Sequence, residues 1–434
     1  GLFIDRGGVQ LNSSTNAMGT GGVTVGTNAT LELNGAFSWR PANLTLYGTG
    51  TNGGGALRQL SSGQGEWRGD ITLGADSTMA FPSGTFNTYG DLEAGAHTLY
   101  ITNNYGFTML EGQLTGTKTT GDGALHKSGP GNLFLRGATL AGSVVVAGGP
   151  LCLVEDLADG GGALVLQQGA VVSASNNADR MVAKPLRIQG AVALGARGSY
   201  SGGLTFTNGV DLDGDLRTVA VSNLVTVSGA ISNGGLVKTA SGTMTVSAVN
   251  TYLGPTTVEA GTLAVNGSSA GSTHTVSAGA VLRGSGTVGP LSIYGAVDPG
   301  GSAAAAGQLS AGEVTLTDGG ILRVDMPGAV GAAGTDWDLL VSSGALDVQD
   351  SGDFAIELAG AAVGFDPGIN QSWKIMDGAA VWDFDEDRFW IDDSRFEPAT
   401  YNGTFSVTND EAGDDLYLFF QPSVETADYF NVSA

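Results

Sequence analysis

Apolar and polar residues alternate with a period of two in short runs along most of the chain. Examples are Val23-Thr24-Val25, Leu31-Glu32-Leu33, Leu44-Thr45-Leu46, Ile71-Thr72-Leu73, Leu204-Thr205-Phe206 and Val314-Thr315-Leu316. This period sends alternate side chains to opposite faces of a sheet. Each run is cut off by Gly, Asn or Pro, which strand interiors tolerate poorly. Helical periodicity is nearly absent, so the pattern predicts an all-β protein. The spacing of the runs, roughly 8–20 residues, suits sandwiches, barrels and solenoids alike.

Repetition helps to choose among them. The stretch from Leu236 to Gly267, LVKTASGTMTVSAVNTYLGPTTVEAGTLAVNG, contains four short alternating strands separated by Gly/Ser/Asn/Pro turns. A unit this small cannot bury its apolar face alone and must stack on copies of itself. The stretch Leu125 to Arg136, LHKSGPGNLFLR, follows the same grammar with a one-residue shift in the turn: an L-x-K strand end, a Ser/Gly turn, then an alternating strand. Such self-similarity marks quasi-one-dimensional stacking.

The segment beginning at Lys238 resembles the autotransporter-associated β-strand repeat, also called the passenger-associated transport repeat. Lys238, Gly242, Thr243, Asn250, Tyr252, Gly254, Thr256, Val258, Gly261 and Leu263 occupy its positions, with Met244 for the usual Leu and Ala248 for the usual Gly. Residues 125–154 are similar to it in degenerate form and lack the N-x-Y element. The segment from Gly284 to Met326 looks like the stretch that follows such repeats. The resemblance implies a right-handed parallel β-helix (β-solenoid) on a secreted, surface-displayed bacterial protein, commonly adhesive or structural. No translocator-barrel signature occurs within the chain.

Composition agrees with a stacked architecture. Glycine supplies 72 of 434 residues while proline supplies only 12, so the glycines punctuate turns and do not form collagen or a linker. Acidic residues outnumber basic ones 42 to 18, for a net charge of −24. That surface repels phosphate backbones and anionic lipid heads and argues against nucleic-acid and membrane-surface partners. The single cysteine, Cys152, lies in the apolar run Leu151–Val154, excludes an internal disulfide and is expected to be a small buried hydrophobe. The chain opens without a basic and apolar leader pattern, as expected where a signal peptide is absent or removed. No apolar run is long enough to span a bilayer as a helix.

From about Gly364 aromatics and acids crowd in, and longer strands such as Ser372–Met376 and Leu416–Phe420 suggest antiparallel pairing. The expected division is a β-helix over residues 1–360 and a small β-rich cap or assembly domain over 361–434.

Candidate chemistry is sparse. The densest acidic stretch, WDFDEDRFWIDD, offers Asp383, Asp385 and Asp387 as candidate Ca²⁺ ligands, since Ca²⁺ takes hard oxygens. Its spacing matches no EF-hand, and its alternation with Trp382, Phe384 and Phe389 predicts instead a strand with one aromatic and one solvated face. No other cofactor is implied. Asp211 and Asp213 are the best-placed acid pair for glycoside chemistry, against the plainer reading that they cap a Gly-rich turn. His97, His126 and His274 sit in unrelated contexts. The pairs Thr205/Thr207, Thr243/Thr245 and Thr315/Thr317 would form a flat threonine array if they aligned on one face.

The expected function is a non-enzymatic extracellular or cell-surface structural protein: a fibre, layer or adhesin subunit that assembles with copies of itself. Leu2, Phe3 and Ile4 begin a strand at once and suggest an open edge; Tyr429, Phe430 and Val432 suggest a donor strand for head-to-tail addition. The alternative is a carbohydrate-active or glycan-binding β-helix with surface glycans as partners.

Overall fold

The computed structural model describes residues 1–12, 21–35, 37–39 (backbone only), 42–121, 123–195, 198, 200–300, 305–349, 352–397 and 400–423. The chain is all-β: among the described residues helix is confined to two 3-10 turns, Thr51–Gly53 and Glu386–Arg388. Its strands stack in parallel, coil upon coil, as a β-solenoid. They fall into two compact units, Gly1–Gly254 and Pro255–Ala434.

In the first unit, residues one coil apart pair in register, interrupted by bulges such as the one between Asp211 and Asp215. Leu99, Leu125, Val144, Leu164, Leu186, Val210 and Ile231 form one continuous ladder, and all seven are buried. Ile101 continues onto Lys127, Val146, Leu166 and Ile188. The alternation seen in sequence is therefore the division between core and surface: Leu99, Ile101 and Asn103 face inward, Tyr100 and Thr102 outward. Each buried Val or Leu contributes about 1.5–3 kcal/mol, and stacking repeats that contribution at every coil. Cys152 is fully buried, opposite Phe134 and Ser173. Along the outside, charges alternate between coils: Arg136 pairs with Glu111 at 2.6 Å and with Glu155 at 3.7 Å.

The second unit resolves into three strand columns. One runs Thr256–Val258, His274–Val276, Leu291–Ile293, Val314–Leu316, Ala345–Val348 and Ala380–Trp382. Another runs Thr262–Val265, Val281–Gly284, Ala296–Pro299, Ile321–Asp325, Phe354–Gly360 and Phe389–Phe396. The third begins at Ser268–Ser269 and passes through Thr287–Val288, Gln308–Ala311 and Leu339–Ser342 to Gln371–Asp377. There the parallel rule ends. Gln371–Asp377 pairs antiparallel with Asp415–Pro422, which pairs antiparallel with Gly403–Asn409, the pairing that the longer strands suggest in sequence. Phe365 packs against Trp373, Phe396, Tyr401, Phe405 and Phe420 with ring centroids 4.9–6.2 Å apart. Trp373 also donates from its indole to the carbonyl of Ala329 at 2.8 Å.

The expectation of one strand through WDFDEDRFWIDD is corrected. Strand Ala380–Trp382 stops, Asp383 turns the chain at φ +56, and Asp385 caps the 3-10 turn before strand Phe389–Phe396 begins. Its side chain accepts from the Asp387 amide, local competition that short acidic side chains offer to strand pairing.

Candidate functional site

The repeat around Lys238 is built on a buried cation. Leu236 and Lys238 share the inward parity of strand Ile231–Thr239, so the lysine enters the core. Its ammonium donates to the carbonyls of Ala240 at 2.7 Å and Gly242 at 2.5 Å. Ala240 holds φ +61, a left-handed conformation that turns its carbonyl back toward the lysine.

Lys127 does the same one degenerate repeat earlier. It donates to Gly129 at 2.6 Å and Gly148 at 2.7 Å, with Gly129 at φ +81. Burial pushes both ammonium groups down to about 8, because a low-dielectric site disfavours the charged form.

Lys184 extends the device. Its ammonium, with three N–H donors, lies within hydrogen-bonding reach of four carbonyls: Leu140 at 2.9 Å, Gly142 at 3.1 Å, Asp159 at 3.3 Å and Gly161. Leu140 closes strand Asn132–Leu140, and Gly142, Asp159 and Gly161 lie in the turns beside it; a buried carbonyl left unpaired costs about 1–3 kcal/mol. The signal for Lys127 and Lys238 is present in sequence, as a lysine at core parity in L-x-K. For Lys184, preceded by Val182 in a short run, the pattern is too brief to identify it.

Asn250 and Tyr252 of the repeat are buried, and Asn250 accepts the Ile231 amide at 2.9 Å. They therefore hold the coil and present nothing to solvent.

The acid pair of the sequence is engaged in structure. Asp213 accepts from Arg187 Nε at 2.8 Å, from Arg187 Nη2, and from Gln189 at 3.2 Å. Asp211 accepts the Asp213 amide at 2.8 Å and the Asn233 amide group at 3.0 Å. Arg187 holds the Asp213 carboxyl below the usual carboxylate range.

His274 is buried. It faces Ser269 Oγ at 2.9 Å on one side and the Ser272 carbonyl at 2.9 Å on the other, and burial pushes it down to about 4. His126 is outward and lies 5.5 Å, ring to ring, from Tyr100. His97 approaches Asp76 at 3.9 Å.

Asp385 pairs with Arg388 at 3.7 Å and caps Asp387, and Asp383 lies in the turn before them. Among the described residues, trios whose ligand oxygens all lie within 4.8 Å are Asp298, Asp325, Asp338 and Asp410, Asp414, Asp415. The first is buried: Asp298 meets Arg283 at 3.1 Å, and Asp338 accepts the Gly307 amide at 2.7 Å and the Asp325 amide at 2.9 Å. Burial raises Asp338 to about 8, outweighing the two amides that favour its ionised form.

The threonines align along the stack and not across it. Thr205, Thr226 and Thr245 stand in register in the first unit. Thr257, Thr275, Ser292 and Thr315 do so in the second. Thr317 points inward, donating to the Ile293 carbonyl, so Thr315/Thr317 contributes one outward hydroxyl and not two.

Among the described residues, Leu2–Leu11 pairs with one strand, Val23–Leu33. Ile4 is buried and Phe3 is 65% exposed. Tyr429, Phe430 and Val432 lie outside the described residues.

Sequence features missed a groove on the outer face of the first unit. The loop through Thr51–Gly53 stands above the sheet, and a depression of about 460 Å³ separates it from Glu32 and Arg58. A second depression of about 200 Å³ continues beyond Arg58 to Thr78, Thr102 and Asn104.

Residues 236–265 match the Passenger-associated-transport-repeat family. Over 330 residues the chain is 28% identical to the Adhesin BmaC autotransporter of Brucella suis biovar 1 (strain 1330), an alignment that covers 60% of this chain and 9% of that protein. The chain thus spans under a tenth of the curated relative's length.

Proposed function

We propose that this chain is an adhesin-like stretch of a bacterial surface protein, a non-enzymatic scaffold that presents its outward faces outside the cell. The observation that carries this reading is the passenger-associated repeat at 236–265, joined to 28% identity with a protein named as an adhesin autotransporter. The side-chain chemistry is consistent with a scaffold: Asp211 and Asp213 hold a bulge in the ladder, and His274 is locked between two serines. Beads coated with the full chain should be retained on cultured epithelial cells several-fold better than beads coated with an unrelated acidic protein. Equal retention overturns the reading.

Assembly of copies head to tail is the finer proposal. Its support is that, among the described residues, Leu2–Leu11 pairs with one strand, and a strand edge that is open accepts another. The donor suggested by sequence is the segment carrying Tyr429, Phe430 and Val432. Under negative-stain electron microscopy the full chain should form fibres, and a chain lacking residues 426–434 should remain monomeric. Fibres from the shortened chain, or none from the full one, rule out this assembly.

A further inference from the structure

We infer that the outer groove around Arg58 is a binding site for a neutral oligosaccharide. The inference rests on the adhesin-like reading and names a ligand class for one face of the scaffold.

The wall of the groove is held in place before any ligand arrives. The Thr51 amide donates to Thr30 Oγ1 at 2.8 Å, Thr51 Oγ1 donates to the Asn28 carbonyl at 3.2 Å, and the Gly55 amide closes the loop on Thr49 at 2.8 Å. Asn52, at the tip, holds φ +53, a left-handed conformation that asparagine adopts more readily than most side chains. A wall fixed in this way loses little conformational entropy on binding.

The floor offers donors and acceptors in alternation. Arg58 stands in register with Glu32 on one side and Ala80 on the other, and Ala80 with Thr102 in the next coil. The closest approach of Arg58 Nη1 to Glu32 is 3.7 Å, longer than a hydrogen bond. The pair is thus an ion pair without a direct hydrogen bond, and a hydroxyl beside it can hydrogen-bond to both groups. Vicinal sugar hydroxyls, each both donor and acceptor, bridge such a carboxylate and guanidinium. Thr78, Thr102 and Asn104 continue the polar floor past Arg58. Tyr100, outward and in register with Thr78, adds an aromatic ring on the same face; an apolar body with a polar tip suits a pyranose ring.

The charge of the chain selects the ligand. A net charge of −24 repels anionic polysaccharides, and the one cation of the groove among the described residues, Arg58, already faces a carboxylate. Neutral sugars carry no such penalty.

The test is binding of the full chain to chito-, malto- and lacto-oligosaccharides by isothermal titration calorimetry. At least one series should bind, and Arg58→Ala and Tyr100→Ala should each weaken it tenfold or more. Arg136→Ala, which removes an exposed ion pair elsewhere on the unit, should leave affinity unchanged. Circular dichroism melts of the variants establish that each is folded. No binding by any series, binding indifferent to Arg58→Ala, or binding confined to anionic polysaccharides and abolished by salt overturns the groove assignment. Bead retention on cells that survives Arg58→Ala overturns the groove's part in adhesion and leaves the adhesin-like reading standing. Saccharide binding by a chain whose beads are not retained does the reverse.

Discussion

The two units meet the same demand, satisfying backbone groups at the corners of stacked coils, with different side chains. The first unit places cations inside. Lys127, Lys184 and Lys238 reach into the core and donate to carbonyls left over by the turns. In the second unit, among the described residues, the buried ionisable groups are aspartates and a histidine. Asp338 accepts two backbone amides, while His274 donates from Nδ1 to the Ser272 carbonyl and faces Ser269 Oγ with Nε2. Corner geometry decides the choice: a turn through a left-handed residue, as at Gly129 or Ala240, points a carbonyl inward and calls for a donor. At Gly307 a backbone amide points inward and meets an acceptor, Asp338. The consequence is that the units should respond differently to mutation and to pH.

The largest effect should come from Lys184→Met. It leaves the carbonyls of Leu140, Gly142, Asp159 and Gly161 without their shared donor, and the expected loss is about 4 kcal/mol. Urea unfolding followed by segment-resolved hydrogen exchange should show the loss in peptides from the first unit. An unchanged midpoint would show that water satisfies those carbonyls equally well.

Acid should sharpen the contrast from the other side. His274 is pushed down to about 4 in the folded chain from an unfolded value near 6.5. The folded state therefore binds the proton less tightly. Its stability is fully present above pH 6.5 and falls as the pH drops toward 4, by about 3 kcal/mol in all. Exchange protection around residues 256–276 should weaken over that window, and His274→Gln should flatten the dependence. A slope identical in the variant counts against His274 as its source.

The smallest test compares two equivalent corners within the first unit. Ala240→Gly should stabilise the chain by about 0.5–1 kcal/mol in thermal melts, because glycine holds a positive φ without strain. Gly129→Ala should destabilise it, since an added Cβ would lie 2.4 Å from the carbonyl oxygen of Asn103. Equal effects at both corners would mean that the resemblance between the two repeats stops at the backbone.

The alternation of Leu, Val and Thr was enough to identify the strands and their inward residues, because a period of two encodes one buried face directly, while the stacked arrangement was legible in the repetition of the Lys238 unit. The Lys238 repeat was equally legible as a unit. What Lys238 does was not stated by the pattern, although its core parity was there to be seen. WDFDEDRFWIDD misled for a local reason: side-chain capping by Asp385 outcompeted strand pairing.

The sequence by itself settled that the chain is all-β, repetitive and acidic, since composition and periodicity are local properties. Only the tertiary structure decided which coils stand in register and which lysines are buried. It likewise decided that Thr317 faces inward and that Arg58 opens onto a groove. Those facts depend on residues some 20 positions apart meeting across a coil, and the length of each intervening turn, which no local pattern fixes, determines who meets whom.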